Sequence, residues 1–244
     1  MLCSKPIIVG HRANTRLRLY YYLSLGLPVI EVDVTRTEEG ELIIQHVREE
    51  EVLLEELRSK KRKLLHSIHE ELEELFHRKL VDYLRAISGK TNVMLDLKYR
   101  SKGIGIAEAI EKSNYKGEIY VTSKYHRDLV LVKKCLPQAK VLLAIEDEPL
   151  DVESYLEKAG VDGVSIRAAF VEEDMVKQLH EHNHIVAVWV VNDPELAIYL
   201  AKLGVDMIIT DKPREIMKAL NIEIKRKSEI IELVRVIEEI LGLI

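Results

Sequence analysis

Short apolar, β-branched runs alternate with segments of helical periodicity along most of the chain. The runs are IIVG (7–10), VIEVDV (29–34), NVMLDLK (92–98), EIYVTS (118–123), KVLLAI (140–145), GVSI (163–166), IVAVWVV (185–191) and MIIT (207–210). Helical patterns follow at 13–25, 103–113, 126–135, 151–159, 171–182, 194–202 and 213–219. Short strands alternating with helices predict parallel β/α units. About eight such units predict an α/β protein built as a closed (β/α)8 TIM barrel. A doubly wound open sheet is the competing architecture, but it usually has fewer strands and a Gly-rich first turn. Here the first strand runs into GHRANT, without a GxGxxG pattern.

Two segments stand outside the alternation. After VIEVDV, the stretch EEGELIIQH reads as a turn at Glu39-Gly40 and a short strand ending near His46. Residues 47–89 are then charged and helical in period, predicting one or two helices inserted before the third barrel strand. The tail 221–244 predicts a further amphipathic helix, packed on the barrel or in a homo-oligomer interface. The expected organisation is one barrel domain over 1–220, with the insertion 47–89, followed by that helix.

Composition narrows the picture. The 244 residues are 47% hydrophobic, enough for one sizeable core, and carry a formal net charge of -5. A mildly acidic chain lacks the basic surface field that non-specific nucleic-acid binding needs. No run of about 18 apolar residues is present, so no transmembrane segment is expected. The start MLCSKPIIVG lacks a signal-peptide layout. Two cysteines, Cys3 and Cys135, form neither a disulfide framework nor a CxxC site and read as buried thiols. A reducing cytoplasm fits this usage.

In such barrels the chemistry sits at the C-terminal ends of the strands. The polar residues there are His11 and Arg12, Glu31 and Asp33, His46 after the hairpin, Asp96 and Lys98, Ser123, Trp189 with Asn192 beyond, and Asp211. Side chains i and i+2 share a strand face. Glu31 therefore pairs with Asp33, and Asp96 with Lys98. Facing inward, three carboxylates would crowd one barrel mouth and resist ionising without counter-charge. Lys98 and Arg12 offer some, and one hard divalent cation would offer more. Three carboxylates and no thiol suit Mg²⁺ or Ca²⁺ better than Zn²⁺. His11, His46 and Trp189 are further candidates for chemistry or ligand contact, whereas the remaining histidines fall in helices or turns.

These motifs, in this order, resemble the glycerophosphodiester phosphodiesterases, within the wider phospholipase-C-like phosphodiesterase barrels. The matching stretches are IIVGHRANT, IEVDVTRT, LIIQH, LDLK, VWVVN and GVDMIITDKP, spread over residues 7–220. The resemblance implies metal-dependent hydrolysis of glycerophosphodiesters to a glycerol phosphate and an alcohol. It implies that Glu31, Asp33 and Asp96 hold the metal and that His11 and His46 form the acid/base pair. Arg12 and Lys98 would contact the phosphate, and Trp189 would line the pocket near the alcohol. Three positions depart from the family pattern: Ala13 replaces a glycine, Val47 replaces an aspartate after His46, and Asp96 shortens a glutamate. The departures keep open an attenuated binding barrel, or action on lipid-attached or cyclic phosphodiesters.

Overall fold

The computed structural model describes residues 5–45, 79–100, 103–148 and 151–223. Nine strands form one sheet: β1 (Ile7–Gly10), β2 (Val29–Arg36), β3 (Leu42–Ile44), β4 (Asn92–Leu97), β5 (Ile119–Ser123), β6 (Lys140–Ile145), β7 (Gly163–Arg167), β8 (Ile185–Trp189) and β9 (Met207–Thr210). The order is β1-β9-β8-β7-β6-β5-β4-β2-β3, and β1 also pairs with β2, which closes the barrel. Every pairing is parallel except β2 with β3, a hairpin in which Val34 faces Ile44 and Arg36 faces Leu42. Eight strands thus make the barrel, and β3 extends β2 beyond the rim, as the turn at Glu39-Gly40 predicts.

Eight α-helices are described: α1 (Arg16–Leu25), α2 (Leu80–Ile87), α3 (Ile104–Ser113), α4 (His126–Cys135), α5 (Val152–Ala159), α6 (Glu173–Glu181), α7 (Pro194–Leu203) and α8 (Pro213–Ala219). Their ends follow local chemistry. Thr15 caps α1 by accepting from the Arg18 N–H, and Gly26 ends it in the left-handed region at φ 70°. Asp193 caps α7 directly before its proline. Of the predicted insertion 47–89, only its last part is described. It contains α2, which precedes β4 as an ordinary barrel helix would; residues 47–78 lie outside the described residues, as do 224–244 of the predicted tail helix.

Strand parity divides the core in two. One face of the strands points at the helices, where Ile30, Val32, Leu95, Val121 and Val164 pack with Leu19, Leu84, Ile106, Leu129 and Leu200. The other face fills the barrel interior with Val9, Val29, Met94, Tyr120, Leu142, Met207 and Ile209. This interior plug is the floor on which the polar residues of the mouth stand. Gly10 sits where α1 presses on β1: a Cβ there would lie 2.5 Å from Tyr22 Cδ2. Cys135 is exposed at the last turn of α4, which corrects the expectation of a buried thiol. Its position is the C-terminal end of a short helix, where the chain already faces solvent; Cys3 lies outside the described residues.

Candidate active site

β2 delivers the two central carboxylates. Alternation along VIEVDV sends Glu31 and Asp33 inward above Val29, and both are buried. Neighbouring β4 places Asp96 level with Asp33 in the parallel register. Oxygens of Glu31, Asp33 and Asp96 all lie within 4.8 Å of one another. This is the convergence that strand parity predicts. Burial raises the Glu31 pKa well above the ordinary carboxylate range, reinforced by Asp33 and Asp96 and opposed by Lys98 and the Arg12 N–H. Burial raises that of Asp96 as well, although Lys98 works against the shift.

Cations and amides answer these charges unevenly. Lys98 bonds Asp96 and reaches Asp33 Oδ1 at 2.9 Å. Burial disfavours its charge, but Asp96, Asp33 and Glu31 more than offset this and hold its pKa above the usual lysine value. The Arg12 Nε lies 3.7 Å from Asp33 Oδ2. Asn14 clamps Asp33 from both ends, donating to Oδ2 at 2.7 Å and accepting from the Asp33 N–H at 3.0 Å. The donor set is all oxygen, and burial, with Asp33 and Asp96 beside it, disfavours ionisation of Glu31. Both features fit a hard divalent cation.

His11 stands at the same rim, beside Glu31 across the β1–β2 pair. It follows Ile7 and Val9 in the inward parity of β1, and its Nδ1 lies 3.0 Å from Asp211 Oδ1. Burial works against ionising Asp211, yet hydrogen bonds from His11, Asn192 and Arg18 hold its carboxyl well below the usual range. An ionised carboxylate only accepts, so the neutral ring carries its proton on Nδ1. That leaves the lone pair on Nε2, which lies 4.0 Å from Glu31 Oε2. Arg18 and Asn192 donate to Asp211 at 2.8 Å and 3.0 Å, and Asn192 accepts from the Asp211 N–H at 2.9 Å.

Between His11 and the carboxylates runs a turn of unusual backbone. Arg12 has φ 53°, a left-handed conformation uncommon outside glycine. At this turn the Arg12 N–H donates to Glu31 Oε2 at 2.7 Å. Strain of this kind costs about 1–3 kcal/mol and persists where surrounding contacts impose it. Tyr22 donates its hydroxyl to the His11 carbonyl at 2.7 Å, and Tyr83 donates to the Ala13 carbonyl at 2.9 Å. Ala13 is fully buried in the outer core.

Trp189 ends β8 at the same rim. It is half-buried on the interior plug and donates its indole N–H to the Ser165 carbonyl at 2.8 Å. His46 and Val47 lie outside the described residues. The hairpin is described up to Gln45, whose N–H bonds the Asp33 carbonyl at 3.1 Å.

Several contributors escape a reading of strand ends. Asn14, Arg18, Tyr22 and Tyr83 act from the loop and helices around β1. Ser123, the polar residue at the end of β5, faces away: it donates to the Leu97 carbonyl at 2.6 Å and accepts from the Tyr125 N–H. The inward residue of that strand is Thr122, in register with Asp96.

A model of the glycerophosphoryl diester phosphodiesterase family matches residues 10–215. A glycerophosphodiester phosphodiesterase of Bacillus altitudinis is 26% identical over 225 residues, covering 84% of this chain and 91% of the relative. The fold is similar to that of a glycerophosphoryl diester phosphodiesterase structure from Silicibacter pomeroyi, with a TM-score of 0.72, 17% identity, and 89% and 94% of the two chains covered. A phosphodiesterase from Oleispira antarctica, solved in complex with its product sn-glycerol-3-phosphate, superposes with a TM-score of 0.70 at 20% identity, covering 89% and 97%.

Proposed function

Because the chain belongs to the glycerophosphoryl diester phosphodiesterase family, we propose that Glu31, Asp33 and Asp96 hold one divalent cation, Mg²⁺ or Ca²⁺, at which a glycerophosphodiester is cleaved. The activity is that of a phosphoric diester hydrolase acting on glycerophosphodiesters, as in its relatives. The products are a glycerol phosphate and an alcohol. The observation that carries the reading is three inward carboxylates within 4.8 Å of one another, facing a histidine whose tautomer is set by Asp211.

The chain's own groups divide the work. A cation on the three carboxylates would neutralise phosphate charge and act as a Lewis acid. Lys98 and Arg12 flank those carboxylates and would contact phosphate oxygens, where fixed positive charge favours the more negative transition state. The Nε2 of His11 would transfer a proton at the phosphate, and the family resemblance gives His46 the other proton transfer. One of the pair deprotonates the nucleophile, water or a neighbouring substrate hydroxyl; the other protonates the leaving alkoxide. Trp189, pinned through its indole nitrogen, would offer its ring to the alcohol group. Among the described residues no helix is long and apolar enough to cross a membrane. A small glycerophosphodiester is the proposed substrate.

Release of alcohol from a panel of glycerophosphodiesters tests this. Turnover should appear with Mg²⁺ or Ca²⁺ and fall about 100-fold or more in EDTA, the equivalent of several kcal/mol of lost transition-state stabilisation. It should return when the cation is restored. An undiminished rate in EDTA sinks the cation assignment.

A further inference from the structure

Among the described residues, the mouth contains a polar group that the mechanism leaves idle. Thr122 is 3% exposed, and its Oγ1 is buried with no hydrogen-bond partner. Its direction is fixed by register. Thr122 is paired with Asp96 across β4 and β5, as Tyr120 is paired with Met94 one layer below. Met94 and Tyr120 lie in the interior plug, so Thr122 stands directly above it beside Asp96. A buried hydroxyl without a partner is disfavoured, and such groups in native proteins are satisfied by protein, water or ligand. Ser123 shows the contrast, since its hydroxyl faces outward and is fully used.

Asp96 is the other half of the argument. Its side chain is one methylene shorter than that of Glu31, and its Oδ2 is engaged by Lys98. Three carboxylates do not fill the shell of a hard cation. Mg²⁺ usually keeps several waters, and Ca²⁺ takes 6–8 oxygens. Water therefore belongs in this site, and Thr122 is a polar group next to Asp96 free to hold it.

We propose that Thr122 is a positioning residue of the cation site, its hydroxyl holding a water of the cation's shell beside Asp96. The inference rests on the cation reading above and extends it to a residue outside the acidic cluster. Outer groups that orient the ligands of a metal typically change its affinity by about 10–100-fold when removed.

Thr122→Val tests it, because the side chain keeps its shape and loses only the hydroxyl. Titration calorimetry with MgCl₂ and with CaCl₂ should show affinity about 10-fold weaker than in the parent protein. The metal-free melting temperature should be unchanged or higher, since an unpaired buried hydroxyl has been removed. Thr122→Ser keeps the hydroxyl and should restore most of the affinity. Unchanged affinity in Thr122→Val overturns the proposal, and so does a drop of several degrees in its metal-free melting temperature, which would mean the hydroxyl serves the fold. Glu31→Gln separates the two levels of the argument. If Glu31→Gln loses the cation while Thr122→Val keeps it, only the Thr122 role falls. If the parent protein takes up neither cation, the cation reading falls with it.

Discussion

His11→Ala should lower kcat on a glycerophosphodiester by about 10²–10⁴-fold while leaving the fold and cation binding in place. The size follows from what one positioned proton-transfer group contributes. The choice of His11 follows from geometry. Its Nδ1 faces an ionised Asp211 at 3.0 Å, so Nε2 is the only ring atom free to exchange a proton, and Nε2 faces the carboxylate cluster. Asp211→Asn is the companion variant. It keeps the imidazole but removes the acceptor that selects its tautomer and steadies a charged ring, and kcat should fall about 10-fold or more. The ring is half-buried at the rim and takes no part in the interior plug, so loss of activity should come without large loss of stability. Stopped or steady-state assays on folded variants, checked by circular dichroism, would settle it. Wild-type turnover by His11→Ala would remove the residue from the mechanism.

The second large effect is on stability. Saturating Mg²⁺ or Ca²⁺ should raise the melting temperature near neutral pH by about 5–10 °C. A ligand at 100 times its dissociation constant stabilises the folded state by about 2.7 kcal/mol, and one kcal/mol is roughly 2–4 °C in a chain of this size. The sign of the pH dependence follows from Glu31. Its unfolded pKa is near the ordinary value of 4.5, and burial beside Asp33 and Asp96 raises the folded value. Between those two values the folded state holds more protons than the unfolded one. Stability of the cation-free protein therefore falls as pH rises above about 4.5, and the penalty is complete above the folded pKa. Asp96 shifts in the same direction. A cation on the cluster favours the ionised carboxylates and should flatten the fall. Scanning calorimetry from pH 5 to 8, in EDTA and in excess cation, measures this. Glu31→Gln should remove much of the slope in EDTA; an equal slope in that variant would place its origin elsewhere.

The barrel was legible in the sequence because its strands are buried on both faces and separated by helices of clear period. Boundaries agree closely: MIIT is β9 to the residue, and KVLLAI is β6. Glu31, Asp33 and Asp96 were legible for a different reason. The period of two is a property of one strand, and it needs no partner to show that Glu31 and Asp33 share a face. What lay between strands was harder. Thr122 was hidden behind Ser123, because the last polar residue of a strand need not be the inward one until register is known. The bond of His11 to Asp211 joins residues 200 apart, and the parallel pairing of β1 with β9 brings them together. The left-handed turn at Arg12 falls on an ordinary residue type and has no local signature. His46, expected to complete the acid/base pair, lies outside the described residues.

Tyr22 and Tyr83 grip the carbonyls of His11 and Ala13, one on each side of the left-handed residue. Their helices, α1 and α2, flank β1 and β2 from the outside, so the turn is held by groups that never meet the substrate. The conformational entropy of fixing it is lost once, during folding, instead of at every encounter. On the proposed mechanism, catalysis would proceed from a preorganised peptide, with the histidine and the amide directed at Glu31 already in place. Loosening either tyrosine would therefore be felt as slower turnover at full occupancy, from a position with no contact to the reacting atoms.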